Sequence, residues 1–204
     1  MAKIDLARRA EIGRERRART KSQILDAGVM LLAERPPEAL TVDAVVEAAG
    51  VAKGTFYYHF QSIEELAAAV GARLGESFDD LLTPARQEIE DPVERLCFAF
   101  ERFMEKAGSD PDWARLVVQS SQSTEFGRGV RAHLKADIAA AILQGRLSIR
   151  DPELAADIVI GTWLQVARGV LERGARPELT RQAIEAVLRA LGATRSKQRR
   201  ARKN

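Results

Sequence analysis

Residues 53–60 read KGTFYYHF and gather a cation, hydroxyl donors and aromatic rings into eight positions. The chain holds eleven Phe, Tyr and Trp residues; four lie within positions 56–60, and they include both of its tyrosines. Lys53 can pair with phosphate or a guanine edge, and Thr55 can donate to phosphate or base. Tyr57 and Tyr58 are stiff phenolic donors that reach phosphate, with rings that can pack on a thymine methyl. Gly54 lets a partner approach bare backbone where any side chain would collide. His59 is one of only two histidines. On a helix the spacing sorts these residues. Phe56 and Phe60, at i and i+4, share a buried face and act as pins. Gly54 and Tyr58 lie opposite, Thr55 beside them, and Lys53, Tyr57 and His59 flank the two faces. The outward set, with the partial positive charge of a helix N-terminus, suits a major groove. Spacing alone also admits an amphipathic helix whose tyrosines cover a neighbour.

Positioning that stretch requires helices, and helical periodicity runs through the chain with no convincing strand. Ile24, Leu25, Gly28, Leu31 and Leu32 recur at helical spacing over 22–34, and Pro36-Pro37 stops the run. Thr41 caps a short helix that Gly50 ends. A second short helix spans about 52–60, so two short helices joined by a glycine turn form a helix-turn-helix. Ser62, with Glu65 three residues on, makes a capping box for a helix expected to stop at Pro84. The pairs Asp91-Pro92, Asp110-Pro111 and Asp151-Pro152 are start signals: the carboxylate accepts orphan amide protons, and proline gives up a donor that had no partner. Helices are expected at about 92–107, 111–121, 125–144, 152–173 and 178–191, with Gly145 and Gly174 marking ends. The expected fold is all-α, with about nine helices.

Composition narrows the partners. A 46% hydrophobic, 30% charged chain of this length buries a real core. The single cysteine, Cys97, excludes an internal disulfide and a cysteine-rich metal site and fits a reducing compartment. It reads as a small core residue rather than a redox sensor. The N-terminal residues lack the apolar core of a secretory signal, and no uncharged run exceeds ten residues, so no membrane span is expected. Net charge is +3 but uneven. Residues 1–21 carry eight Lys/Arg against three acidic residues, and residues 195–203 add six cations, which leaves the body between them acidic. Basic ends on an acidic body suit a polyanion partner without indiscriminate coating; they also suit solubilising tails.

The run from Thr41 to Phe60, TVDAVVEAAGVAKGTFYYHF, resembles the DNA-binding signature of the TetR (tetracycline-repressor-like) family of bacterial transcriptional regulators. SIEELAAAV (62–70) is similar to the start of that family's fourth helix. The resemblance implies a basic arm (1–17), a DNA-binding domain (18–78, with its motif at 41–60), a ligand-binding and dimerisation domain (79–192) and a basic tail (193–204). It assigns DNA contact to Lys53, Gly54, Thr55, Tyr57, Tyr58 and His59, and it has Thr41 cap the second helix against a phosphate. There are departures: Ile63 stands where the family usually has lysine, Asp43 places a negative charge near the phosphates, and Pro36-Pro37 replaces a glycine-bearing turn. The family's regulators imply a cytoplasmic protein, on the nucleoid when bound to DNA.

In the back half, Val159, Trp163, Val166 and Val170 form one apolar stripe, and Ile160, Leu164, Ala167 and Leu171 form another. This arc is wider than a helix resting on one core needs. Leu179, Ala183, Ile184, Val187, Leu188 and Leu191 give helix 178–191 a similar surface. These faces suit a homodimer of four packed helices, with Ile160, Leu164, Ala167, Leu171, Ile184, Val187, Leu188 and Leu191 at the interface; burial in a larger monomer core is the other reading. The resemblance implies the same dimer, and twofold symmetry then calls for a palindromic operator. Phe100, Phe103, Met104, Trp113, Leu116 and Val117 are apolar groups for an effector pocket, with Gln119, Ser120 and His133 to orient a small hydrophobic ligand; such a stripe also suits plain core. Two distant histidines, and no carboxylate cluster, metal-ligand spacing or phosphate loop, leave no catalytic constellation. No enzyme, cofactor or metal is expected.

Overall fold

The computed structural model describes residues 6–121 and 127–194. Among these, nine α-helices and a short 3₁₀ turn form two compact units, divided between Val70 and Gly71. The chain runs α1 (Leu6–Glu34), the 3₁₀ turn (Pro37–Ala39), α2 (Val42–Ala49), α3 (Lys53–His59) and α4 (Ile63–Gln87). It continues through α5 (Pro92–Ser109), α6 (Pro111–Ser120), α7 (Arg128–Leu143), α8 (Pro152–Arg173) and α9 (Pro177–Ala190).

The first unit closes around Ile24, Leu32, Val45, Phe56, Phe60, Leu66 and Val70, none more than 2% exposed. At Gly28 of α1 a Cβ would stand 3.2 Å from the Leu66 and Val70 side chains, so α1 and α4 meet where one helix lacks a side chain. Thr41 caps α2 by accepting the Ala44 N–H. Gly50 ends it in the left-handed conformation (φ 65°), which glycine adopts without strain. Ser62 accepts the Glu65 N–H, while the Glu65 carboxylate accepts from Gln61, one residue earlier than a standard capping box places it.

Two helix boundaries depart from expectation. α1 begins at Leu6, sixteen residues before the apolar periodicity starts at Ser22, because Arg- and Ala-rich stretches are good helix formers without a buried face. α4 passes through Pro84 and ends only at Gln87. Packing on both sides overrides the lost hydrogen bond: Phe78 and Leu82 are buried before Pro84, and Arg86 is anchored after it. α7 starts at Arg128; the expected start at 125 lies outside the described residues.

The second unit is wrapped around α8, which packs against α5, α6, α7 and α9. Ala155, Ala156 and Ala167, all fully buried, let neighbouring helices come close, and Phe100, Phe103, Trp113 and Trp163 fill the space between. All three Asp-Pro starts have the expected geometry. Asp91 accepts from the Val93 N–H at 2.8 Å, Asp110 from Trp113 at 3.0 Å and Asp151 from Glu153 at 2.9 Å. Behind α9, the Leu191 carbonyl accepts from both Ser148 and Ile149, which fastens the α7–α8 connection to the end of that helix.

Asp137 is 5% exposed, yet two guanidinium groups converge on its carboxyl. Arg86 donates to its Oδ2 through Nε (3.0 Å) and Nη2 (2.7 Å), and Arg95 donates to Oδ1 at 2.7 Å. Arg86 also reaches the His133 carbonyl, and Arg95 those of Ile89 and Glu90. The network ties the end of α4 to α5 and α7.

Two of the caps make folding sensitive to acid. Burial opposes ionisation of Asp91, but the Arg146 ion pair and the Val93 N–H outweigh it and hold the carboxyl below its ordinary 3.8. The Lys106 hydrogen bond, then the Trp113 N–H, lower Asp110 in the same way. In this window the unfolded chain binds more protons, so stability rises with pH. The contribution is complete above about pH 5 and is lost as pH falls through the folded-state values, below about 4. Thermal melts are expected to be flat from pH 7 to 5 and to fall below 4, with a smaller fall for Asp110→Asn.

Candidate nucleic-acid interface and core cavity

α3 is held from behind by its own rings. Phe56 and Phe60 are 0% and 2% exposed with centroids 6.0 Å apart, and the Lys21 ammonium sits 5.7 Å over the Phe60 ring. Burying both fixes which residues point outward. Tyr57 and Tyr58 are 52% and 67% exposed, unusual for large rings with nothing to cover. Lys53 and Gly54 are exposed, Thr55 and His59 partly so, and no atom lies within 4 Å of where a Gly54 side chain would begin. Thr41 is exposed as well; its oxygen is engaged by the Ala44 N–H, which leaves its hydroxyl proton free to donate outward.

The charge pattern of this face has an internal counterweight. Asp43 of α2 pairs with Lys53 at 2.8 Å, and both side chains are well exposed. The hydrogen bond and charge of Asp43 raise the Lys53 pKa, so the ammonium is charged at any working pH. A phosphate must compete with Asp43 for that cation. Burial, and then the nearby Lys21 charge, lower the His59 pKa below 6.5, so its imidazole is neutral at pH 7. Along α1, Arg8, Arg9, Arg14, Arg16, Arg17, Arg19 and Lys21 are exposed, which makes the first half of that helix cationic.

The second unit contains an apolar cavity of about 40 Å³. Phe78 (α4), Phe103 (α5), Trp113 (α6) and Trp163 (α8) are its aromatic walls, joined by Val117, Val130, Ile160 and Leu164. Gly75 and Gly127 close it by backbone contact: a Cβ on Gly75 would fall 3.0 Å from Gly127 Cα. A larger open groove of about 540 Å³ runs between α5 and the start of α9; Glu101, Glu105 and Glu185 face Arg176 and Arg181 there, so its charges largely compensate one another.

Of the nine residues expected to form a pocket, Phe103, Trp113 and Val117 line this cavity. Phe100 is buried against Trp163 (5.7 Å) and borders a separate void of about 10 Å³. Met104 edges the charged groove, and Leu116 and Ser120 are buried without lining the cavity. Gln119 Oε1 is buried with no hydrogen-bond partner. His133 is half exposed, and its Nδ1 lies 2.8 Å from Asp79 Oδ1. Sequence reasoning did not name Phe78 or Gly75 and placed Trp163 in an apolar stripe of α8 rather than in the pocket. The scarcity of aromatics was the available signal, since Phe78 and Trp163 are two of eleven.

The expected dimer stripe turns largely inward. Ala167, Val187 and Leu191 are buried within the protomer, and Ile160 and Leu164 line the cavity. Leu171, Ile184 and Leu188 are half-buried against the core. The α8 positions that do face outward are Leu154, Asp157, Gly161, Gln165 and Arg168, three or four residues apart, while Ile158 beside them is half-buried against the core. Burial, then the charges of Glu101, Asp91 and Glu94, push the Cys97 thiol up to about 11, as befits a protonated packing residue. Among the described residues, no three His, Cys, Asp or Glu side chains are grouped to hold a metal.

Known proteins share this architecture. Residues 24–70 match the domain described as bacterial regulatory proteins, tetR family, and residues 91–202 match the tetracyclin repressor-like C-terminal domain. The solved structure of RolR in complex with resorcinol superposes with a TM-score of 0.74 at 22% identity, covering 93% of this chain and 94% of that one. FadR from Bacillus subtilis in complex with stearoyl-CoA gives 0.67 at 20% identity, covering 84% and 97%. A tetR-family regulator from Shewanella sp. PV-4 gives 0.70 at 20%, covering 86% and 99%.

Proposed function

Because the chain belongs to the tetR family of bacterial regulatory proteins, whose members bind DNA and regulate transcription, we propose that it is a homodimeric repressor that leaves a palindromic operator when a small apolar effector enters the second unit. The observation that carries this reading is the exposed Lys53, Gly54, Thr55, Tyr57, Tyr58 and His59 set on a short helix whose opposite face is pinned by Phe56 and Phe60. Thr41 joins it from the start of α2. Such a surface offers donors and rings to phosphate and base edges. The working place of such a protein is the bacterial cytoplasm, on the nucleoid when DNA is bound.

Support for the dimer comes from α8. Among the described residues it is the one helix long and apolar enough to cross a membrane, with a mean hydropathy of 1.4 over an 18-residue window, yet only 39% of that window is buried in the protomer. A second copy is the partner whose matching α8 would cover the remainder symmetrically. We assign the contact to the outward positions Leu154, Asp157, Gly161, Gln165 and Arg168, with Gly161 open for close approach.

One observation favours a second reading, a ligand-independent DNA binder: the cavity is far below the roughly 300–1,000 Å³ of ordinary ligand pockets. The two solved relatives named above hold a phenolic ring and an acyl-CoA, so likeness of fold does not choose an effector.

The deciding experiment compares DNA from immediately upstream of the protein's own gene with a scrambled duplex at several salt concentrations. Specific binding near 10⁻⁸ M, with the scrambled duplex roughly a thousandfold weaker, is expected of a sequence-reading dimer. Equal, steeply salt-dependent binding near 10⁻⁵ M to both would mean phosphate attraction alone and would remove the assignment.

A further inference from the structure

Resting on the reading of the second unit as the effector-binding half, we infer that its cavity takes an uncharged molecule built on a single aromatic ring with one hydrogen-bond acceptor, held by the ring walls and by the indole N–H of Trp163. Three features of the lining lead there: the shape of its walls, the absence of charge, and one unused donor.

The walls are flat and set at steep angles to one another. Phe103 stacks on Trp163 at 26° and 5.1 Å, while Phe78 meets Phe103 edge-on at 85° and 5.7 Å. Trp113 lies 5.3 Å from Phe103 and 5.4 Å from Phe78. Four rings from four helices thus present both faces and edges to one small space. An aromatic guest can stack on one wall and take an edge from another, as the resident rings do among themselves. A space of about 40 Å³ admits one ring only with a small shift of a wall; a linear acyl chain or a fused polycycle would need the core taken apart.

Among the described residues, the lining holds no ionisable side chain. A void of about 20 Å³ that shares Val130 and Trp163 with the cavity is lined by charged groups already engaged: Asp137 with Arg86 and Arg95, and Asp79 hydrogen-bonded to His133. A charged ligand would therefore lose its hydration and find no counter-ion. Among the described lining residues, the only polar side-chain atoms are the two indole nitrogens. That of Trp163, a residue 3% exposed, donates to nothing and is covered at rest, so a guest meets it only through the same wall shift that admits its ring. A buried donor without an acceptor is costly, so a ligand oxygen that meets it gains more than the same oxygen would in water.

The test titrates the full chain calorimetrically with phenol, toluene, benzoate and decanoate. Phenol is expected to bind about five- to tenfold more tightly than toluene, which has the same shape without an acceptor. Benzoate and decanoate are expected not to bind. Trp163→Phe keeps a ring and removes the N–H; it should bring phenol down to the toluene level and leave toluene unchanged. Should that variant fold poorly, the wild-type ratio of phenol to toluene decides alone. Binding of benzoate or decanoate above phenol, equal affinity for phenol and toluene, or no binding of any probe would each overturn the inference. Operator binding measured on the same preparation separates this outcome from the broader one. A protein that reads its operator but ignores every probe leaves the regulator intact and removes the ligand class, while a protein that binds phenol and reads no operator does the reverse.

Discussion

Asp137→Ala is expected to lower the unfolding free energy by about 3–5 kcal/mol, the usual consequence of removing one partner from a buried ion pair. Asp137 accepts three hydrogen bonds from Arg86 and Arg95, whose side chains are 13% and 22% exposed. Without the carboxylate, two guanidinium groups would share a largely dry space, keeping only their contacts to backbone carbonyls. Arg95 reaches solvent more readily than Arg86, which argues for the lower half of the range. The measurement is urea unfolding followed by helical circular dichroism, with slope and midpoint compared between variants. Replacing Arg86, Arg95 and Asp137 together by methionine, methionine and leucine should destabilise far less than the single change, because no charge is then left unpaired. A loss under about 1 kcal/mol for Asp137→Ala would place these charges with ordinary surface pairs.

Lys53→Glu is expected to weaken operator binding severely while leaving the melting temperature nearly unchanged, since Lys53 is exposed and its one ion pair, with Asp43, is a surface pair. A good contact to phosphate or base is worth roughly ten- to a hundredfold, and in a dimer the change occurs twice, so the combined loss is about 10²–10⁴-fold. The companion change Asp43→Asn has the opposite sign. It frees Lys53 and removes a negative charge from beside the phosphates, so binding to scrambled DNA should tighten and the ratio of specific to nonspecific affinity should narrow. Electrophoretic shift titrations at two salt concentrations check both variants. Unchanged affinity in Lys53→Glu would show that α3 is not the surface that reads DNA.

What was legible in the sequence was chemistry carried out within a few residues. The Asp-Pro starts, the left-handed Gly50 and the i, i+4 pairing of Phe56 with Phe60 each depend on neighbours two to four positions away, and each has the expected geometry. Pro84 was misleading for the converse reason. Its local effect is real, but α4 is held on both sides by contacts with residues far along the chain. The Asp137 network was invisible because its members stand 51 and 42 positions apart. α8 posed a harder problem: both of its stripes are apolar, so periodicity could not say which faces the core. In the fold, four neighbouring helices take up Ile160, Leu164 and Ala167, and the face with Gly161 and Gln165 looks outward. Only three of the nine expected pocket residues line the cavity, because a cavity is a property of packing; the stripe containing Phe103 was visible, but which of its neighbours stop short of one another was not.

The distribution of rings noted at the start has an optical consequence. The chain's two tryptophans both line the cavity, buried, and its two tyrosines both stand exposed on α3. Light absorbed selectively by indole is therefore emitted only from the cavity walls, and a guest stacking there must change the whole of that emission. The protein's own phenolic absorbance comes only from α3. The protein carries two native dyes, one for each half, so the proposed exchange of DNA for a ligand can be followed in a stopped-flow cell without attaching a label.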